Sequence, residues 1–409
     1  MNILLVTDVY LPALGGTETA TSNQKKILEQ AGHTVYLATA RTKSPPVSEK
    51  NVVYFDGPPL LRTGVYGMVP PTKRIIAQLI QLLSDQRIEI VHITTEVGLA
   101  HGATVAAKQL GIPVVFTPHT LYWRHVDNLG LAKLGAAAYF RFISRVLPYS
   151  EKLEKLQKES WAAWSVRLTV FRLMQSVDYA TPPSRHLLEN LQSWGIATPM
   201  TVNQNAITST PRSVALPEVP TLLWLGRLSA EKQPLEFLEA VLVAESSVDV
   251  PFKVLIVGSG PLEKEVVAYT KKSKIITYQP AVGPAAVREL YDQSSVLCVT
   301  SNGFDNQPMV IVEALNAGRG VLYRDPKLTE CFQTSSGYLA KDESVASLAD
   351  AIVQIVTDED IIPTLSKAAV KDAVRYQPQA LLDRLNRVYT QLTKEDITTR
   401  MSKSDKSNQ

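Results

Sequence analysis

ILLVTDVYLPALGGTETATSNQKKILEQAGHTVYLA, residues 3–38, holds two kinds of order in one short segment. Ile3 to Thr7 is an apolar run with no polar alternation, the mark of a strand buried on both faces. Pro12 to Gly16 is a loop bearing proline and glycine. Thr17 to Ala31 is amphipathic at helical spacing, and Thr34 to Ala38 is a second apolar run. Strand, helix and strand in this order read as a βαβ unit, whose two strands lie parallel in one sheet with the helix packed across it.

The pattern recurs outward from this unit. A strand at Ile88 to Ile93 precedes a helix from about Leu99 to Leu110, and a further strand follows at Val114 to Thr117. Ligands of open α/β sheets gather at the carboxyl ends of strands, so Thr7, Thr94, Thr117 and His119 are expected to face a common cleft. The stretch VNQNAITSTPRSVALPEVP (202–220) is a polar, proline-bearing connection, after which a second series of the same kind begins. That series has strands at Leu222 to Leu225, Lys253 to Val257 and Val296 to Thr300. Helices are expected after Gln233, from about Leu262 to Tyr269, and from Val310 to Ala317. The expected fold is α/β, with two Rossmann-like doubly wound domains facing across a cleft: residues 1–205, residues 206–390, and a disordered polar tail at 391–409.

Bulk composition narrows the function. A chain of 409 residues exceeds one comfortable core, and 45% hydrophobic with 20% charged residues is the composition of a folded protein. Lys and Arg exceed Asp and Glu by only 42 to 39, so no global basic field points to nucleic acid. Cys298 and Cys331 lack metal-ligand spacing and a redox partner, and read as reduced core thiols. The N-terminal apolar run has no basic leader and is too short for a signal peptide or a membrane span, which points to the cytoplasm.

Three segments carry candidate chemistry. In LLWLGRLSAEKQPLEFLEA (222–240) a strand runs into Gly226, Arg227 and Lys232 and then into a helix. A planar guanidinium, a mobile ammonium and a helix N-terminus together suit a diphosphate; the alternative for Arg227 is a strand-edge ion pair with Glu231. In KVLIVGSGPLEKEV (253–266), Gly258 and Gly260 lie between a strand and a helix, where glycine lets backbone approach a ligand or simply makes a tight turn. In SNGFDNQPMVIVEALNAGRGV (301–321), Asp305 precedes Glu313 by seven intervening residues. One carboxylate could bind sugar hydroxyls and the other ribose hydroxyls, with the amides from Gln307 through Pro308 and Met309 to Val310 facing phosphate or sugar oxygens. Glu313 lies between Val312 and Ala314 in an apolar run, where an unpaired charge is costly. The remaining histidines, His33, His92, His101, His125 and His186, show no metal spacing, and Asp358, Glu359 and Asp360 read as a solvated surface.

The ordered set of Gly15-Gly16, GRL with a following EK, VGSGP, and an acid separated by seven residues from a Glu-Ala pair resembles the GT-B retaining nucleotide-sugar transferases of the glycosyltransferase family 4 type, to about residue 390. The resemblance implies that Arg227 and Lys232 bind the donor diphosphate, Glu313 holds the ribose, and Asp305 contacts the donor sugar. It places Gly15, Gly16, Gly226, Gly258 and Gly260 beside the donor, and gives His119, in FTPHTLYW, a part in positioning the sugar. Asp305 departs from the family, which usually has glutamate there; aspartate reaches one methylene less. The implied reaction is hexosyl transfer with retention. It uses no metal, no cofactor beyond the nucleotide sugar (UDP-glucose being the commonest donor) and no protein nucleophile, the departing phosphate helping to deprotonate the acceptor.

For the acceptor, residues 131–175 carry Lys133, Arg141, Arg145, Lys152, Lys155, Lys158, Arg167 and Arg172 against Glu151, Glu154 and Glu159. Tyr139, Phe142, Ile143, Val146 and Leu147 recur at helical spacing, and Trp161 and Trp164 follow. A basic amphipathic stretch with tryptophans suits an anionic membrane surface; the alternative is an ordinary helix pair packed on the first domain. VHITTEVGLAHGA (91–103) and TPHTLYWRHVDNL (117–129) resemble glycolipid-forming members, so a lipid or glycan acceptor at the inner face of the cell membrane is expected. Competing readings are a nicotinamide oxidoreductase, a nucleotide-sugar epimerase of the same fold, and a non-catalytic partner subunit. PALGGTETA (12–20) lacks the full Gly-x-Gly-x-x-Gly, and no acid closes the second strand near Ala38, which argues against the first.

Overall fold

The computed structural model describes all residues except 12–14, 47, 63–65, 120–121, 149–151 and 407–409, and the side chains of 60, 125, 284 and 395–406 are also outside the description. The expected loop from Pro12 to Gly16 and Glu151 of the basic segment therefore fall wholly or partly outside the described residues. The chain divides into two units, Met1–Thr208 with Pro378–Gln409, and Ser209–Gln377.

The first unit contains β1 (Asn2–Thr7), β2 (Thr34–Ala40), β3 (Val52–Phe55), β4 (Ile90–Ile93), β5 (Val114–Phe116) and β6 (Tyr179–Ala180), ordered β3-β2-β1-β4-β5-β6 with every pair parallel. Successive residues of β1 enter opposite cores. Leu4 and Val6 pack with Val91, Ile93, Leu79 and Leu99 on one face, and Ile3 and Leu5 pack with Val35, Ile90, Ile27 and Leu28 on the other. Burial on both faces is why the sequence shows a continuous apolar run rather than alternation. The helix Gly16–Gln30 lays Ala20, Gln24, Ile27 and Leu28 inward, and Gly32, at φ +87°, reverses the chain into β2.

The second unit contains β7 (Thr221–Leu225), β8 (Lys253–Val257), β9 (Ile276–Gln279), β10 (Val296–Val299), β11 (Gly320–Tyr323) and β12 (Gly337–Leu339), in the order β12-β11-β10-β7-β8-β9 and again all parallel. In each unit the first strand pairs with both the second and the fourth, β1 with β2 and β4, and β7 with β8 and β10. The strand order thus reverses at β1/β4 and at β7/β10, where doubly wound sheets bind ligands. Both sheets have the doubly wound topology expected from the sequence. Cys298 and Cys331 are buried and free, and burial pushes both thiols up.

The C-terminal end of the chain corrects the expected boundaries. Residues from Pro378 onward belong to the first unit, not to a second domain ending at 390. The helix Pro378–Lys406 presents Leu381, Leu385, Val388, Tyr389 and Leu392 along one face to Ile3, Leu5, Ile27 and Val115. The segment expected as a disordered tail is helical through Lys406. Extending a helix that is already anchored adds one hydrogen bond per residue without a new nucleation step, which the polar composition alone did not reveal.

Candidate active site

At the end of β7 the chain passes through Gly226 and Arg227 into a short turn, Ala230–Lys232, and then into the helix Pro234–Glu245. Lys232 Nζ lies 2.6 Å from Asp305 Oδ1 and 4.7 Å from the centre of the Phe304 ring. Ser301, just past the end of β10, donates to the other oxygen of Asp305. The two strands of the crossover point thus deliver a cation and a carboxylate, 73 residues apart in sequence, to one place. The turn behind Lys232 is held by the buried Thr300, whose hydroxyl accepts from Trp224 Nε1 at 2.9 Å and donates to the Lys232 carbonyl at 2.9 Å. Gln233, next to it, adopts φ +54°, a left-handed conformation that a non-glycine residue holds only when its surroundings impose it.

Arg227 takes the local pairing that the sequence offered as an alternative. Its Nη2 pairs with Glu231, its Nε donates to Ser229 Oγ at 3.3 Å, and its side chain is 54% exposed. Burial works against ionisation of Glu231, but the Ser229 hydroxyl and the Arg227 charge hold its carboxyl below the usual range. Arg227 thus stands at the strand end with its fork on a carboxylate, while Lys232 is drawn to Asp305.

Gly258 and Gly260 are explained by packing within the unit. A Cβ at Gly258 would lie 1.9 Å from the Gly226 carbonyl oxygen, and one at Gly260 would lie 2.4 Å from that of Leu228. Leu228 N donates to Ser259 O, and Leu262 N to Leu228 O, so the two loops are clamped backbone to backbone. Close approach is indeed the reason for glycine, but the approaching group is the chain itself. Gly258→Ala is expected to destabilise the protein by about 2–3 kcal/mol, read as a lower urea midpoint, because a backbone oxygen cannot move aside as a flexible side chain can.

The helix Met309–Asn316 begins after Pro308, with Gln307 and Met309 buried and the amides of Met309 and Val310 in its first turn, where no intrahelical carbonyl is available to them. Glu313 lies one turn further on, enclosed by protein but with part of its surface open. Burial pushes its carboxyl up to about 7, against a hydrogen bond from Tyr291 that works the other way. Carboxyls displaced by burial in this way cluster at functional sites.

In the first unit, the strand-end threonines expected at a ligand site are bonded into the interior of the unit. Thr7 donates to Val9 O at 2.7 Å, Thr94 accepts from Thr21, and Thr117 bonds His92 Nε2 at 2.7 Å and Thr181 at 2.6 Å. All three are buried, because a hydroxyl at a strand end can satisfy nearby carbonyls and neighbouring side chains. His92 completes an interior network, its Nδ1 lying 2.6 Å from Tyr389 Oη and 3.0 Å from Gln24 Nε2; burial holds it neutral, with titration near 3. His119 keeps some exposure just beyond β5, and burial of its ring lowers its titration to about 4, so it acts as a neutral imidazole. Gly15 caps the helix Gly16–Gln30, and a Cβ there would lie 2.5 Å from the buried Glu18 carboxylate. That helix end already faces one negative charge.

Sequence reasoning missed Asp8, which directly follows β1 beside the β1/β4 crossover. Its Oδ1 accepts from Leu99 N at 2.9 Å and its Oδ2 from Thr95 Oγ1 at 2.9 Å, while burial raises its carboxyl to about 6. Tyr291, Thr300 and Ser301 were missed as well. Only their position at strand and helix ends near the second crossover could have signalled them.

The basic segment is part core and part surface. Arg167 is buried against Glu159 at 2.7 Å, and the buried Arg172 bonds Ser144 Oγ at 2.8 Å, so neither contributes surface charge. Ile143 and Leu147 are core, and Tyr139, Val146 and Trp164 pack against it. A different set of residues remains outside: Leu131 at 88% exposure, Leu134, Phe142, Leu156 and Trp161, with Arg145, Lys152, Lys155 and Lys158 also exposed. Among the described residues no helix is long and apolar enough to cross a membrane, and no group of three or more His, Cys, Asp or Glu is placed to hold a metal ion.

Two doubly wound parallel sheets, with cations and carboxylates collected at the crossover of the second, are the architecture found in GT-B glycosyltransferases. The chain is one by family as well as by fold: the Glycosyltransferase Family 4 model matches residues 14–210, and the Glycosyl transferases group 1 model matches residues 219–358. It is 24% identical over 386 residues to Alpha-monoglucosyldiacylglycerol synthase of Acholeplasma laidlawii, covering 90% of this chain and 92% of that protein. It is 22% identical over 334 residues to the protein of the same name from Streptococcus pneumoniae, covering 79% and 70%. Among solved structures, Anabaena Alr3699/HepE in complex with UDP and glucose superposes with a TM-score of 0.70 at 14% identity, over 96% of this chain and 100% of that one.

Proposed function

We propose that this glycosyltransferase moves a hexose, with retention and without a metal or further cofactor, from UDP-glucose or a similar nucleotide sugar to a lipid acceptor at the inner face of the cell membrane. The observation that carries the donor half is Lys232 paired with Asp305 at the β7/β10 crossover, one loop ahead of the enclosed Glu313. In this reading the ammonium of Lys232 and the guanidinium of Arg227 stabilise charge growing on the departing diphosphate, and Glu313 accepts from the ribose hydroxyls. Asp305 then contacts the sugar, and an oxygen of the departing phosphate takes the acceptor proton on the face from which it leaves. His119, neutral at working pH, positions the sugar.

The acceptor half is supported by the exposed Leu131, Leu134, Phe142 and Trp161 and the exposed Arg145, Lys152, Lys155 and Lys158, all within residues 131–161, apolar and basic groups of the kinds that meet anionic headgroups. It is supported too by the two relatives named as glucosyldiacylglycerol synthases. The test is release of UDP from UDP-glucose in the presence of vesicles containing diacylglycerol, with and without anionic lipid. Transfer that depends on diacylglycerol and rises with anionic lipid is expected, and Leu131→Ser with Trp161→Ser is expected to weaken vesicle binding about tenfold or more at unchanged melting temperature. Equal turnover with a soluble glycan and no vesicle binding would rule out the lipid acceptor.

A further inference from the structure

Among the described residues, Tyr291 is the side chain whose hydrogen bond shifts the titration of Glu313, and it is itself held rigidly. Tyr291, on the helix Pro284–Asp292, is only 2% exposed. Its hydroxyl lies 3.1 Å from Glu313 Oε2 and 3.0 Å from the Val310 carbonyl oxygen, so one phenol spans the first turn of the helix Met309–Asn316 and the carboxylate that follows it. The backbone of Tyr291 is pinned in turn: Arg319 Nε donates to its carbonyl at 2.8 Å, and the rest of that guanidinium bonds the carbonyls of Val214, Ala215 and Asp292. Asp372, on the neighbouring helix Ile361–Asp372, is engaged with Thr334 and Ser336.

A tyrosine buried against a carboxylate is a poor choice for stability, since apolar side chains of similar volume would fill the same space without desolvating an acid. We propose that Tyr291 is a positioning residue for nucleotide binding: by holding Oε2 of Glu313 it fixes the rotamer of that side chain and turns Oε1 to the ribose diol. The inference rests on the reading of Glu313 as the ribose-holding group. Tyr291 also favours the ionised carboxylate, since its hydrogen bond works against the upward push of burial. Its own phenol is driven well above its ordinary value by burial and by the Glu313 charge, so it remains a donor across the working range.

The experiment measures binding of UDP and of 2′,3′-dideoxy-UDP to the full chain between pH 6 and 9, for wild type, Tyr291→Phe and Glu313→Gln. Tyr291→Phe is expected to bind UDP about tenfold more weakly at pH 7, to keep part of that loss at pH 9, where the carboxyl is ionised with or without the phenol, and to bind the dideoxy nucleotide as wild type does. Equal losses for both nucleotides at every pH would make Tyr291 merely structural and overturn the proposal, as would unchanged UDP binding in a protein that still prefers UDP to its dideoxy analogue. Wild type that does not distinguish the two nucleotides would overturn the ribose reading itself, and the proposal with it. Site-specific 3-fluorotyrosine at position 291, a stronger donor of nearly the same shape, provides a variant that keeps the fold. It is expected to tighten UDP binding at pH 7, and no change would count against the proposal.

Discussion

Lys232→Ala is expected to lower kcat/KM for sugar transfer by a factor of about a hundred to a thousand, the usual loss when one preorganised charge is removed from a developing anion. The fold should persist. The ammonium is 23% and the Asp305 carboxylate 11% exposed, so losing this pair is expected to cost about 1–3 kcal/mol, within the stability of an ordinary domain. Asp305 keeps its hydrogen bond from Ser301 when the lysine is gone. Steady-state kinetics beside a melting curve check both halves of this result, and near-wild-type turnover would take Lys232 out of the reaction. Arg227→Ala should cost less in turnover than Lys232→Ala, because its guanidinium is the more exposed of the two and so the more screened by solvent.

Glu313→Gln is expected to separate stability from function in opposite directions. The Glu313 carboxyl is raised from 4.5 to about 7 by burial, so the folded state holds that proton more tightly than the unfolded state does. Its contribution to stability is therefore fully present below about pH 4.5 and is lost as pH rises through about 7, a change of up to about 3 kcal/mol. Glutamine keeps the shape and an acceptor for Tyr291 without the charge, so the variant should be more stable than wild type at pH 8 and indistinguishable from it near pH 4. Nucleotide binding should move the other way. An ionised carboxylate accepts from a ribose diol better than a protonated one, so wild-type affinity for UDP should climb as pH rises through about 7. The variant should bind UDP about tenfold more weakly at pH 8 and show none of that climb. Chemical denaturation and calorimetric titration across this range check the pair of effects.

The sequence made the sheets legible because their central strands are buried on both faces: Ile3–Val6, Leu222–Leu225 and Val296–Val299 leave uninterrupted apolar runs, and Ile90–Ile93 is broken only by the buried His92. β6, two residues long, is too short to leave a pattern, and β3, β9, β11 and β12, which lie away from the centre of their sheets, went unread as well. The apolar spacing of Leu381, Leu385, Val388 and Leu392 marks a helix, but spacing does not say which core the helix joins; that is set by the path of the chain back to the first unit.

At the site, residue types at strand ends were legible and their partners were not. Arg227 and Glu231, four residues apart, could be read as a pair from the sequence alone. Lys232 with Asp305, and Tyr291 with Glu313, are joined only when strands distant in sequence become neighbours. Gly258 and Gly260 carried a true signal of close approach without saying what approaches. The basic segment misled in the same way, because a count of charge does not distinguish the buried Arg167 and Arg172 from the exposed Arg145 and Lys155.

A crystal structure of the full chain grown with UDP tests the donor site most directly. Pyrophosphate oxygens are expected within hydrogen-bonding distance of Lys232 Nζ, with the ribose hydroxyls on the Glu313 carboxylate. A nucleotide seated away from the β7/β10 strand ends, with both side chains unaltered, would contradict the assignment of Lys232 and Glu313 to the donor.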